Sequence, residues 1–194
     1  MKKQLLLSIF IVFGFVITGQ AQEKGTSDIS FSVGAATSTD LANLFTDVLT
    51  GGFTGGQITT QNMNAGPTFG LTYRYAVAKR WMVYADGFYQ KMSQDVYVSG
   101  AKNGELDYSY ITVGLGTDYR YISSSFFQMY SGIAVAYTSE SVDYSGPGSS
   151  PDGDGFVNYQ LNALGFRVGK SLAGFAEFGF GYKGIASAGI SYQF

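Results

Sequence analysis

Cysteine and histidine are both missing from this chain of 194 residues. Without cysteine there is no disulfide framework, no thiol nucleophile, no thiolate metal site and no lipid anchor on an N-terminal Cys. Without histidine the commonest general base and metal ligand is gone, and the usual hydrolase constellations go with it. Proline is scarce, at 3 residues, and charged residues make up 13%, about half the share of an ordinary soluble domain. Past the N-terminus no apolar run approaches the roughly 20 residues of a membrane-spanning helix. A membrane form of such a chain must be a closed sheet, because open strand edges would leave backbone polar groups unpaired in hydrocarbon.

What is abundant points the same way. There are 27 glycines, 15 tyrosines and 16 phenylalanines. Glycine weakens helices, whereas aromatics and small residues suit short strands with one face in lipid. The segment "MKKQLLLSIFIVFGFVITGQAQ" reads as a secretory signal peptide over 1–21: Lys2 and Lys3, an apolar run from Leu5, then Gly19-Gln20-Ala21 as a small-x-small site. Cleavage after Ala21 leaves 22–194 with a net charge of −4, from 10 cations and 14 acids.

Over 22–194 a period of two recurs about eight times. Ile29, Phe31, Val33 and Ala35 alternate with serines and glycine. Phe69, Leu71, Tyr73 and Tyr75 share a face, opposite Gly70, Thr72 and Arg74. In "WMVYADGFYQ" the alternation blurs, with Val83, Ala85 and Tyr89 assigned outward and Asp86 inward. Ile111, Val113, Leu115, Thr117 and Tyr119 oppose Thr112, Gly114, Gly116, Asp118 and Arg120. Phe127, Met129, Ile133, Val135 and Tyr137 oppose Gln128, Tyr130, Gly132, Ala134 and Ala136. Leu164, Phe166 and Val168 oppose Gly165 and Arg167. Phe178, Phe180 and Tyr182 oppose Glu177, Gly179 and Gly181. The last strand, "SAGISYQF", sets Ala188, Ile190, Tyr192 and Phe194 on one side. Connections alternate in length: tight at 78–80, about 122–125 and 170–172, long over 38–66, 91–107 and 139–156, with a last hairpin near Lys183-Gly184. Short turns on one side and longer loops on the other are the pattern of a transmembrane barrel.

Behind a signal peptide, and ending on "ISYQF", this pattern resembles the small eight-stranded outer-membrane barrels of OmpA/OmpX type. The expected fold is all-β, an eight-stranded antiparallel up-and-down transmembrane β-barrel over 22–194. The resemblance implies outer-membrane lipid around the barrel. It also implies that the barrel-insertion machinery reads Ile190, Tyr192 and Phe194. Barrel enzymes that modify lipids set a His beside Ser, which this chain lacks, and no catalytic residue is assigned.

An eight-stranded barrel is just wide enough for side chains to fill. By parity Arg74, Asp86, Asp118, Arg120, Arg167 and Glu177 face inward. Arg74 with Asp86, and Arg167 with Glu177, flank tight turns and are expected to lie cross-strand. They suggest an ion-pair network plugging the lumen; a narrow porin-like passive channel is the alternative.

Three motifs tempt and fail. "GFGYKG" (179–184) has the glycine spacing of a dinucleotide loop but reads into a strand, not a helix. "LGFRVGKS" (164–171) lacks the first glycine of a phosphate loop and continues a strand. "SPDGDG" (150–155) offers Asp152 and Asp154, too few ligands for a calcium loop. No cofactor or metal site is expected. The long loops carry Asp40, Asp47, Asp95, Glu105, Asp107, Glu140, Asp143, Asp152 and Asp154 against Lys91 and Lys102, which disfavours nucleic acid and favours a basic partner or divalent cations outside the cell. Within the first loop Leu41, Leu44, Phe45 and Val48 have helical spacing, with Thr39 or Asp40 as cap.

Overall fold

The computed structural model describes residues 24–40 and 58–194. The signal peptide, the helical spacing at Leu41, Leu44, Phe45 and Val48, and Asp47 lie outside the described residues.

Among the described residues nine strand segments form one antiparallel sheet: β1 (Ser27–Ala35), β2 (Ile58–Ala65), β3 (Thr68–Ala78), β4 (Trp81–Val98), β5 (Ala101–Ser123), β6 (Phe127–Tyr144), β7 (Gly155–Gly169), β8 (Leu172–Gly181) and β9 (Ala186–Gln193). From β3 to β9 each strand pairs with the next along the chain, β1 pairs with β3, and β1 also pairs with β9 through Phe31 and Ile190, which closes the sheet. Segments β2 and β3 both run along β4, interrupted at Gly66-Pro67, so they form a single stave. Eight staves make the barrel, as the alternation predicts.

Parity decides what each face touches. On β1, Ile29, Phe31 and Val33 face out while Asp28, Ser30 and Ser32 are buried inside. The rule holds round the barrel, and Phe178 points out while Glu177 points in. The result is inverted relative to a soluble protein: Leu115 is 70% exposed, and Asp118, three residues on, is 0% exposed. Midway up the outside, Ala85, Leu115 and Val135 stand side by side. Four residues below, Trp81 meets Tyr119 at 5.0 Å between ring centroids, and Tyr192 stacks on Phe194. Four residues above, Tyr89 pairs with Phe69 and Ile111. An apolar band between two aromatic girdles is the exterior that hydrocarbon and its two interfaces require.

The turns differ from expectation on one side. At the lower end the connections are tight, as foreseen; Ser124 Oγ, for example, accepts the Phe127 amide at 2.8 Å. At the upper end the expected loop 91–107 is instead strand. Segments β4 and β5 run on and meet at Ser99-Gly100, with φ of 51° and 81°, the positive pair of a type I′ hairpin turn. The polar side chains there hid a strand, because outside the bilayer neither face needs to be apolar. The 139–156 loop likewise shrinks to 145–154, and β2 occupies part of the expected 38–66 loop. The 23 residues of β5, at about 3.3 Å each, extend about 75 Å. Tilted by about 40°, they rise well beyond a hydrocarbon core of about 30 Å. A sheet built from β2, β4, β5 and β6 therefore stands outside the membrane.

One strand changes face above its assigned residues, and one parity assignment is corrected. Ala163 is an extra residue on β7, unpaired in both ladders, and such a bulge flips the faces. Below it Gly165 and Arg167 point in; above it Asn158, Gln160 and Asn162 do. Tyr182, assigned outward, is buried inside. The chain leaves the strand at Gly181, whose φ of 143° swings the next residue into the bore.

Candidate functional site: the charged lumen

All six inward charges read from parity reach the bore and are buried. Two more join them. Asp28 is on the same face as Ser30, so parity carried its signal. Lys183 has no parity, because it sits in a turn. Together the eight form a balanced set: Arg74, Arg120, Arg167 and Lys183 against Asp28, Asp86, Asp118 and Glu177. Asp40 is a further buried acid near the upper mouth.

The middle layer centres on Arg74. Its Nε donates to Asp118 Oδ2 at 3.0 Å, its Nη2 to Glu177 Oε1 at 2.7 Å and its Nη1 to Ser30 Oγ at 2.7 Å, with Asp28 at 3.9 Å. The guanidinium lies over the rings of Tyr84 and Phe175. A planar group with five donors serves three acids at once. Glu177 also accepts from Tyr130 Oη at 2.8 Å and Asn162 Nδ2 at 3.2 Å. Gly132 makes room here: a Cβ on it would fall 2.0 Å from Asp118 Oδ1.

The lower layer holds the other two arginines. Arg167 Nε donates to Ser191 Oγ at 2.7 Å, Nη2 to the Ser171 carbonyl at 3.0 Å, and Asp28 Oδ2 lies 3.3 Å from Nε. Arg120 bonds Gln128 and lies over Tyr130. The gap among Asp28, Arg74, Arg120, Tyr130, Arg167, Phe175 and Ser191 is too tight to admit a water molecule.

The expected hairpin pairs therefore do not form. Arg74 stands opposite Tyr84 in the ladder, and Glu177 opposite Gly165. Arg74 instead reaches across the bore to Glu177, and Arg167 turns to Asp28. Pairing along a hairpin is fixed by register, but in a narrow bore a long side chain also meets the opposite wall. Asp86 takes Lys183 and Tyr182 as partners, at 2.8 Å and 2.9 Å.

Above, the filling is uncharged apart from Asp40. Thr112, Thr138 and Asn158 are linked by hydrogen bonds of 2.8 and 3.2 Å, and Gln160 donates to Asn162 at 3.0 Å. Gln90 Nε2 donates to Asp40 Oδ1 at 2.8 Å, and Thr37 Oγ1 to Gln90 at 3.0 Å. Thr37, not Thr39 or Asp40, caps the helix that begins at 38: Asp40 N donates to Thr37 Oγ1 and Thr37 N to Asp40 Oδ2, the reciprocal bonds of a capping box.

Outside the membrane the acids are dispersed over the projecting strands. Lys102 pairs with Asp95 and, at 3.7 Å, with Glu105; the hydrogen bond it donates to Asp95 raises the ammonium pKa. Asp107 lies directly across from Asp143, and with Lys91, Ser93 and Ser109 they line an open pocket of about 420 Å³. Asp154 Oδ1 accepts the Gly155 amide at 2.7 Å, closing a local turn. The residues that end β9, Ile190, Tyr192 and Phe194, face outward and are exposed.

The chain matches no protein-family model and no curated protein. It is similar to solved structures of small barrels. The crystal structure of Ail, the attachment invasion locus protein of Yersinia pestis, in complex with the heparin analogue sucrose octasulfate, is 15% identical, with a TM-score of 0.50 over 88% of this chain and 99% of that one. The crystal structure of the outer membrane protein OprG from Pseudomonas aeruginosa is 12% identical, with a TM-score of 0.44 over 91% and 99%. A structure of Ail in a phospholipid bilayer nanodisc is 16% identical, with a TM-score of 0.46 over 88% and 100%. The fold is that of the outer-membrane β-barrels.

Proposed function

We propose that the chain resides in the outer membrane as a non-catalytic barrel with a structural or surface-interaction role, its lumen plugged by inward ion pairs. One observation carries this reading: four cations and four acids are packed across the bore without space for water between the lower arginines. A buried guanidinium that already serves three acids has no free donor set for a passing ion. In planar bilayers the purified protein is expected to give no steady openings. Steady conductance reduced by Arg74→Ala or Arg167→Ala would instead support a narrow porin-like passive channel.

The outer end favours a partner of basic character. Ail is seen with the heparin analogue sucrose octasulfate; the described outer strands and the 145–154 loop here carry Asp95, Glu105, Asp107, Glu140, Asp143, Asp152 and Asp154 against Lys91 and Lys102, which repels polyanions. Nucleic acid is disfavoured on the same ground.

For assembly, the alternating outward residues Ile190, Tyr192 and Phe194 form the feature that the insertion machinery would read. Removing Phe194 is expected to lower the fraction of protein that reaches the outer membrane in its heat-modifiable, folded form. An unchanged folded fraction would remove Phe194 from that signal.

A further inference from the structure

The outer connection between β8 and β9 turns inward. Residues 182–185 fold over the bore and press against β1. A Cβ at Gly34 would fall 2.0 Å from the Lys183 carbonyl oxygen, and one at Gly184 would fall 2.2 Å from that of Ala35. The Ile185 amide donates to the Ala35 carbonyl at 3.0 Å, and the Lys183 amide to Gln160 Oε1 at 2.9 Å. So seated, the turn sends the Lys183 side chain down the bore, where the residue is 1% exposed.

Its ammonium ends in a defined enclosure. Nζ lies 4.3 Å from the centroid of the Tyr84 ring, 5.5 Å from that of Phe88 and 5.9 Å from that of Tyr182. Asp86 Oδ2 is 2.8 Å away. That contact is an ion pair whose angles fall outside a hydrogen bond. Asp86 itself is held by the Tyr182 hydroxyl, which lies 2.9 Å from both carboxylate oxygens. The Tyr84 hydroxyl is buried without a hydrogen-bond partner among the described residues. Three ring faces around a cation, with one carboxylate beside it, is the chemistry that recognises ammonium ions. Arg74 makes its ion pairs with Asp118, Glu177 and Asp28, so the positive charge at Asp86 comes from this lysine.

We infer that Asp86, Tyr84, Phe88 and Tyr182 form a binding site for primary ammonium ions in the outer half of the lumen, and that the chain fills it with its own Lys183. The turn is then a tethered ligand. This rests on the reading of the lumen as closed, and gives the closure a specific cation chemistry. With the lysine side chain cut back, the site takes a small alkylammonium ion from the outside.

The test is chemical rescue. Lys183→Ala is expected to lower the unfolding temperature of the refolded barrel in detergent. Methylammonium or ethylammonium chloride should recover most of that loss, saturably, while sodium chloride at equal ionic strength should not. Lys183→Ser, which is also short, covers the case in which the alanine variant does not fold, and should be rescued in the same way. Lys183→Met fills the space without the charge, so it should be less stable than the wild type and should not respond to alkylammonium. In Asp86→Asn/Lys183→Ala the carboxylate is gone, and the response to alkylammonium should vanish. Equal recovery by sodium, or no response to alkylammonium in whichever of the alanine and serine variants folds, overturns the site. The outcome is separable from the closed-lumen reading. Conductance by the wild-type barrel alongside intact rescue would remove the plug and keep the site; silence without rescue would do the reverse.

Discussion

Arg74→Ala is expected to destabilise the folded barrel by about 3–5 kcal/mol, the usual cost of leaving buried charge without its partner. The substitution strips Asp118 and Glu177 of contacts at 3.0 and 2.7 Å, and leaves three cations to face four acids inside the bore. It also empties the space over Tyr84 and Phe175. Urea unfolding from phospholipid vesicles reads the loss directly. A second variant separates charge from packing. Adding Glu177→Gln to Arg74→Ala removes one of the stranded acids, so the double variant should be more stable than the sum of the two single losses implies. Strict additivity would mean that the arginine acts through its bulk. A change of less than about 1 kcal/mol, the worth of an exposed pair, would mean that water reaches the network.

Leu115→Arg is the second large effect, and it tests the outside of the barrel. Leu115 is halfway between the Trp81–Tyr119 pair below and the Tyr89–Ile111 pair above. A soluble protein with a side chain so exposed would tolerate arginine at almost no cost. At the midplane of a bilayer the same change costs about 2–4 kcal/mol. Val98→Arg is the control. Val98 is also exposed, but it lies at the tip of the β4–β5 hairpin, beyond the hydrocarbon, and its replacement should be near neutral. Unfolding both variants from vesicles should give a large difference between them. Equal tolerance would remove the lipid from the account of the apolar band.

Much of this architecture was open to reading residue by residue. Strand parity is local: successive side chains alternate sides whatever the rest of the chain does. That is why Ile29, Leu71, Leu115 and Ile133 could be set outside, and Arg74, Asp118, Arg120, Arg167 and Glu177 inside, before any fold was in hand. The same rule reached Asp28, one residue beyond where the first alternation was counted. Parity fails where the backbone leaves the ladder. The bulge at Ala163 reversed the faces of β7, and the positive φ at Gly181 carried Tyr182 inward. Neither event has a signature in side-chain pattern, since Ala163 is an unremarkable strand residue and glycine also lines the bore. The projecting halves of β4 and β5 read as a loop in sequence, because outside the bilayer polar residues fit both faces of a strand.

Composition and alternation were thus enough to define a closed antiparallel barrel, its lipid face, and the charges that must turn from that face. Those are one-dimensional consequences of a period of two and of the cost of a charge in hydrocarbon. Which acid meets which base was settled only in three dimensions. The bore is narrow enough for Arg74 to reach the opposite wall, so its partners lie 44 and 103 residues away along the chain rather than across one hairpin. Lys183 entered the network because a turn folded over β1, an event that depends on the close approach of Gly34 and Gly184 to a neighbouring backbone. Contacts across a closed surface depend on its curvature and diameter, and no local run of residues encodes either.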